Sequence, residues 1–221
     1  MPAVLWTSVD PPGPVPLVLL GHGASGHKGV GYVTDLARAL VRLDMAAVAV
    51  DGPVHGDRRS DRGRNAQLVF LEFCQAWSSC PTMTDEMVGD LTGVLDALIA
   101  TGEFDEARVG WWGLSMGTIL GLPFVAAEPR ISAAVLGLMG LTGPTRARIV
   151  EDAPRVRCPT LFVVQWDDEL FGREACLELF DALGSADKRM HVHPGRHGSV
   201  PPEAFQASEA FLANRLRAAG A

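Results

Sequence analysis

Short apolar runs recur along the chain, each followed by a glycine-containing loop and then a helical stretch. The strand-like runs are Pro16–Leu20, Ala46–Val50, Arg108–Trp112, Ser132–Leu136, Thr160–Val164 and Arg189–His193. Continuous hydrophobicity of this kind fits strands buried on both faces, as parallel strands are beneath two layers of crossover helices. A weaker run, Ala3–Val9, reads as an antiparallel edge strand stopped by Asp10-Pro11-Pro12-Gly13-Pro14. Helical periodicity is clearest in Asp85–Ala100, where Met87, Leu91, Val94, Leu95 and Leu98 share one face. Val30–Leu43, Arg173–Leu183 and Ala204–Arg217 read similarly. Asn65–Trp77 also reads as helical but is unusually apolar and aromatic. The alternation predicts an α/β fold with an open, doubly wound, mostly parallel sheet and helices on both faces. Ligands of such sheets collect beyond the C-terminal strand ends, so the residues just after each strand carry the chemistry.

Bulk properties narrow the picture. A chain of 221 residues, 48% hydrophobic and 20% charged, suits one α/β domain spanning residues 1–221. The formal net charge of −7 supplies no positive field for a nucleic acid or an anionic membrane. No run approaches the roughly 18 apolar residues of a membrane span. Met1-Pro2-Ala3-Val4-Leu5-Trp6 lacks the basic region and apolar core of a secretory signal, so a cytoplasmic location is expected. Cys74, Cys80, Cys158 and Cys176 form no Cys-x-x-Cys pair and have no histidines at zinc-finger spacing. Free, buried thiols are the expectation.

The segment Gly113-Leu114-Ser115-Met116-Gly117 lies between the run Arg108–Trp112 and the helical stretch Thr118–Ala127. A serine on so tight a strand-to-helix turn is held in a strained conformation, with no room for side chains two residues away on either side. Gly113 and Gly117 remove those clashes. Ser115 would then stand above the sheet at the positive end of the following helix. Two further elements come in the order this kind of site requires. The run Thr160–Val164 leads into Gln165-Trp166-Asp167-Asp168-Glu169-Leu170, where a carboxylate can orient an imidazole. The run Arg189–His193 leads into Pro194-Gly195-Arg196-His197-Gly198, whose histidine can take the serine proton. Ser115, Asp168 and His197 are therefore the candidate triad, in the chain order serine, acid, histidine.

These motifs, with Gly21-His22-Gly23-Ala24-Ser25 and Asp51-Gly52-Pro53-Val54-His55-Gly56-Asp57, resemble the α/β-hydrolase superfamily from about Leu17 to the C-terminus. Within it the chain is similar to the compact dienelactone-hydrolase-like group. The resemblance favours Asp168 over Asp167, because the family's acid precedes a segment like Glu169-Leu170-Phe171. It likewise favours His197 over His191 and His193, which lie in the strand itself. The residue after the nucleophile, Met116, supplies one oxyanion donor. By resemblance Ala24 supplies the second, with Ser25 as the alternative, and His22 holds that turn. The Gly21–Gly26 loop lacks the Lys-Ser/Thr ending of a P-loop, which argues against nucleotide binding.

The group departs from this chain at the nucleophile, since dienelactone hydrolases proper use cysteine. The expected function is thus a serine hydrolase cleaving small carboxylic esters, lactones or related acyl compounds through an acyl-enzyme. The alternatives are a catalytically silent domain that binds a small ligand or protein, and an acyltransferase. No metal or organic cofactor is needed, and a metal site built from His22, Asp51, His55 and Asp57 has no supporting ligand spacing. The expected partner is a small-molecule acyl substrate, with no nucleic acid and no membrane, and the protein a monomer or homodimer. Arg58, Arg59, Arg62 and Arg64, interleaved with Asp57 and Asp61, read as a charge-paired surface segment that could also grip a substrate anion. Leu68–Phe73 and Trp77 read as core packing, with part of them able to wall a pocket. Only residues 137–157 separate the fourth parallel run from Cys158-Pro159 at the start of the fifth, which leaves no room for a large cap and suggests an open, shallow site.

Overall fold

The computed structural model describes residues 1–9, 13–59 and 65–218. Of the residues named above, Asp10, Pro11, Pro12, Asp61, Arg62 and Arg64 lie outside them. Seven strands form one sheet: β1 (Ala3–Trp6), β2 (Val15–Gly21), β3 (Ala46–Val50), β4 (Phe104–Gly113), β5 (Ile131–Gly137), β6 (Thr160–Gln165) and β7 (Lys188–His193). Their spatial order is β1-β3-β2-β4-β5-β6-β7, with β1 antiparallel to β3 and every other pair parallel. The helices are α1 (Gly31–Arg42), α2 (Ala66–Ser79), α3 (Met83–Ile99), α4 (Met116–Ala127), α5 (Arg146–Asp152), α6 (Arg173–Ala182) and α7 (Pro202–Ala218).

The strands are apolar throughout because alternate residues serve two different cores. Leu17, Leu19, Val48, Trp111, Leu136 and Phe162 face the layer of α3, α4, α5 and α6. Val18, Leu20, Ala49, Trp112, Val135 and Leu161 face α1 and α7. Period-2 alternation therefore survives, with both halves hydrophobic. The strand β7 departs from the expected continuous run. As an edge strand it has only half-buried and exposed positions, and Val192 is open to solvent. Helix α5, which no periodicity announced, occupies the connection after β5. Among the described residues no helix is long and apolar enough to cross a membrane, and no large cap interrupts the order of elements.

The chain runs from β2 outward to β3, then returns through α2 and α3 to lay β4 on the other side of β2. Between β2 and β4 the strand order reverses, the place where open α/β sheets form their crevice. Gly21 and Gly113 are register partners at the ends of these two strands. The loop bearing Ala24 and the turn bearing Ser115 thus leave the sheet side by side.

Candidate active site

Ser115 caps α4 with φ +58° and ψ −119°, a conformation that costs on the order of 1–3 kcal/mol and persists only where its surroundings enforce it. A Cβ on Gly113 would stand 2.6 Å from the Gly117 carbonyl oxygen, and one on Gly117 would stand 2.7 Å from the Gly21 carbonyl oxygen. Both glycines are required by backbone, which cannot move aside as a side chain could. Thr118 adds a contact that the motif does not reveal. Its buried hydroxyl accepts from Gly137 N–H at 2.8 Å and lies within donating distance of the Gly113 and Gly137 carbonyls. Ser115 N–H donates to Gly137 O at 3.0 Å, so the turn is bolted to the end of β5.

The three candidate residues from separate loops meet here. Ser115 Oγ is 2.9 Å from His197 Nε2, and His197 Nδ1 is 2.7 Å from Asp168 Oδ2. The other Asp168 oxygen accepts the Leu170 and Phe171 amides at 2.8 and 2.9 Å. Burial alone would raise the Asp168 carboxyl, but the His197 bond and the two amides outweigh it and hold the group below the usual carboxylate range. Asp167, by contrast, is exposed and turned toward Arg173. His191 lies away from Ser115, in a surface hollow between β7 and α7. The acid and histidine loops are tied together by Trp166 N–H to His193 O and Asp167 N–H to Gly195 O. Glu169 steadies the histidine loop further by accepting the His197 amide at 2.9 Å.

Across from the turn, the loop after β2 is held by groups from the loop after β3. His22 Nδ1–H donates to Gly23 O, and His22 Nε2 accepts from Gly52 N–H, both at 2.9 Å. One nitrogen must carry the hydrogen and the other must not, so the ring has to stay neutral. Burial, with His55 adjacent, lowers its pKa to about 3. Gly23 O also accepts from Gly26 N–H at 2.9 Å. In a trans peptide the Ala24 N–H points opposite to that carbonyl, so the two donors aim it. His55 Nε2–H holds the Ala24 carbonyl at 2.8 Å. At the far end of the loop, Lys28 Nζ lies 2.5 Å from Asp51 and 2.6 Å from Asp57. Burial alone would raise the Asp51 carboxyl, but the Lys28 side chain and the Lys28 and Asp57 amides bring it below the usual range. His22, Asp51, His55 and Asp57 are thereby committed to protein partners. Among the described residues no cluster of three or more His, Cys, Asp or Glu side chains is arranged to hold a metal ion.

The arginine segment does not reach the serine in the residues described. Arg58 pairs with Asp90 of α3 at 2.6 Å, and Arg59 pairs with Glu72 of α2. Two hollows of about 370 and 240 Å³ meet at Ser115. Phe70, Phe73 and Trp77 of α2 border the smaller one, so this segment walls the site as well as packing the core. Sequence patterning could not separate those roles, because a wall facing an apolar ligand and a core face use the same side chains.

A sheet crevice carrying a strained serine beside a histidine and a buried carboxylate defines the class of α/β-hydrolases. No protein-family model matches the chain, and no curated protein matches it in sequence. Solved structures do. A cold-adapted esterase from an Arctic intertidal metagenomic library, in its PEG-bound form, is 39% identical with a TM-score of 0.84, covering 97% of this chain and 88% of that one. Its native structure gives 36% identity and a TM-score of 0.80, over 97% and 87%. A protein assigned as a dienelactone hydrolase from Klebsiella pneumoniae shares the fold at a TM-score of 0.77 and 22% identity, over 96% and 92%. The chain belongs to the α/β-hydrolase superfamily, in one family with the cold-adapted esterase and with the fold of the dienelactone-hydrolase-like group.

Proposed function

We propose that the protein is a serine hydrolase that cleaves small carboxylic esters or lactones through an acyl-enzyme. The observation that carries this reading is the continuous chain of hydrogen bonds from Ser115 Oγ through His197 to Asp168. His197 Nε2 takes the Ser115 proton as Oγ bonds to the substrate carbonyl carbon. The carbonyl oxygen becomes an anion that accepts from the Met116 and Ala24 amides. Met116 is the first residue of α4, whose opening amides have no acceptor within the helix and whose dipole favours negative charge. Each such donor is worth roughly 3–4 kcal/mol at the transition state. The carbon–oxygen bond to the leaving alcohol then breaks, and His197 returns the proton to that oxygen. Water repeats the sequence on the acyl-enzyme, with Asp168 stabilising the imidazolium in both halves.

The esterase activity named for the relatives supports the same substrate class. The same reading takes residues 1–221 as one catalytic domain, a monomer or homodimer acting on small molecules in the cytoplasm and not on nucleic acid. The net charge of −7 and four unpaired thiols support that setting. The test is hydrolysis of p-nitrophenyl acetate and longer acyl esters by wild type and Ser115→Ala, with fluorophosphonate labelling in parallel. Turnover and labelling that both vanish in the variant establish the reading. A wild-type protein that neither turns over nor labels overturns it in favour of a silent binding domain.

A further inference from the structure

The two hollows at Ser115 differ in kind. The larger is bordered by His197, Tyr32, Trp112, Val200 and Phe205. The smaller is bordered by Phe73, Cys74, Trp77, Ile119 and Phe171, and among the described residues no charged side chain lines it. Ala24, Phe70 and Ser115 border both. An ester carbon bound to Ser115 has two large substituents to place, the acyl group and the leaving alcohol. The alcohol oxygen must sit beside His197 Nε2, because that nitrogen delivers its proton. Only the larger hollow contains His197, so the alcohol and the acyl group cannot exchange places.

We propose that Phe70 divides the substrate at the scissile bond, with the leaving alcohol in the 370 Å³ hollow beside His197 and a compact apolar acyl group in the 240 Å³ hollow beneath α2. This rests on the serine hydrolase reading and adds to it the orientation and the size limits of the substrate. The acyl hollow is smaller than the ~300 Å³ at which drug-sized pockets begin, which suits one aromatic ring or a short branched chain. The stacked rings of Phe73 and Trp77, 6.0 Å apart and 15° from parallel, form a flat wall for such a group. The alcohol side is roomier and more polar. Tyr32, Trp112 and Phe205 have mutual ring-centroid distances of 5.8 to 6.2 Å. Phe70 is half-buried on α2 and packs against the rim of the core, so its truncation should be tolerated by the fold, which a thermal melt beside the kinetics checks.

Phenylboronic acid tests the assignment without any turnover. Ser115 Oγ forms a bond to boron, its proton passes to His197, and boron becomes a tetrahedral anion with its phenyl group in the acyl position. Iodoacetamide alkylation of each cysteine is followed at pH 9 by peptide mass spectrometry. Phenylboronic acid should slow alkylation of half-buried Cys74 at least tenfold and leave exposed Cys80 unchanged. Inhibitor bound at Ser115 with Cys74 unprotected overturns the assignment while leaving the serine hydrolase reading in place. No boronate binding together with no ester turnover overturns that reading, and the assignment with it. A second measurement stands independently of Cys74. Phe70→Ala should raise the kcat/KM ratio of p-nitrophenyl octanoate to p-nitrophenyl acetate about tenfold, and Phe205→Ala should leave that ratio unchanged. The reverse pattern would mean that the acyl group occupies the larger hollow.

Discussion

The turn at Ser115 and the helix α2 border the same hollow, yet they are built on opposite terms. In the turn nothing has latitude. Gly113 and Gly117 touch backbone, Thr118 bolts the turn to β5, and every residue from Met116 to Val125 is buried. Along α2 only Val69 and Phe73 are fully buried, while Leu68 and Leu71 are each more than half exposed. The helix is fastened by Glu72 to Arg59 and by Trp77 Nε1–H to the Thr145 hydroxyl, and among the described residues no other helix or strand lies closely along its backbone. The side that must hold reacting atoms to a fraction of an ångström is over-determined. The side that selects a substituent is held at a few points and can be altered without unfolding the sheet.

The largest effect that would sharpen this contrast comes from Asp168→Asn. The fold should survive, yet kcat should fall on the order of 10⁴-fold, because an amide can no longer enforce the donor tautomer of His197. Steady-state kinetics beside a thermal melt would check it, and a loss under tenfold would mean that another group orients the imidazole. Gly117→Ala comes next. Its new Cβ meets the Gly21 carbonyl at 2.7 Å, so stability should drop by about 1–3 kcal/mol in urea, with a parallel fall in activity. A variant as stable as wild type would show the turn to be softer than its contacts imply.

The loop opposite the turn should reveal itself through pH. His22 titrates at about 3 when folded and near 6.5 when unfolded. Between those values the unfolded chain takes up a proton that the folded protein refuses. The contribution is therefore complete above about pH 6.5 and is lost as pH falls toward 3, by at most about 1.4 kcal/mol per pH unit. Urea titrations from pH 7 to 4 should show this slope in wild type and a shallower one in His22→Asn. Equal slopes would mean that the ring tolerates protonation in place. The smallest effect belongs to α2, where Leu71→Ser on the exposed face should change stability by no more than about 0.5 kcal/mol. A drop of 2 kcal/mol would break the contrast, since it would make α2 part of the cooperative core.

Much of this is legible in the sequence alone. The six parallel strands, the antiparallel β1 and the helices α1, α2, α3, α4, α6 and α7 follow from the apolar runs and periodic stretches of the sequence. The chain order of Ser115, Asp168 and His197 was equally plain. Other features were hidden because they depend on residues far apart in the chain. The Thr118 hydroxyl reads as one more residue of an apolar helix until β5 lies beside it. The pairing of Lys28 with Asp51 arises only when the loop after β3 brings the carboxylate within 2.5 Å. Short α5 carries too few turns to show a period.

The division has a physical basis. Steric exclusion and hydrophobic period act over a few residues, so the sequence already dictated a strained serine between two glycines and the inward faces of the strands. Adjacent carboxylates such as Asp167 and Asp168 are locally almost equivalent, and family likeness alone ranked them. The fold separates them by turning Asp168 into a buried contact with His197 and leaving Asp167 in solvent. The same holds for α2, whose apolar residues could have served a core or a pocket. Their surroundings come from elements distant in sequence, and only the packing of those elements made them the wall of a divided site.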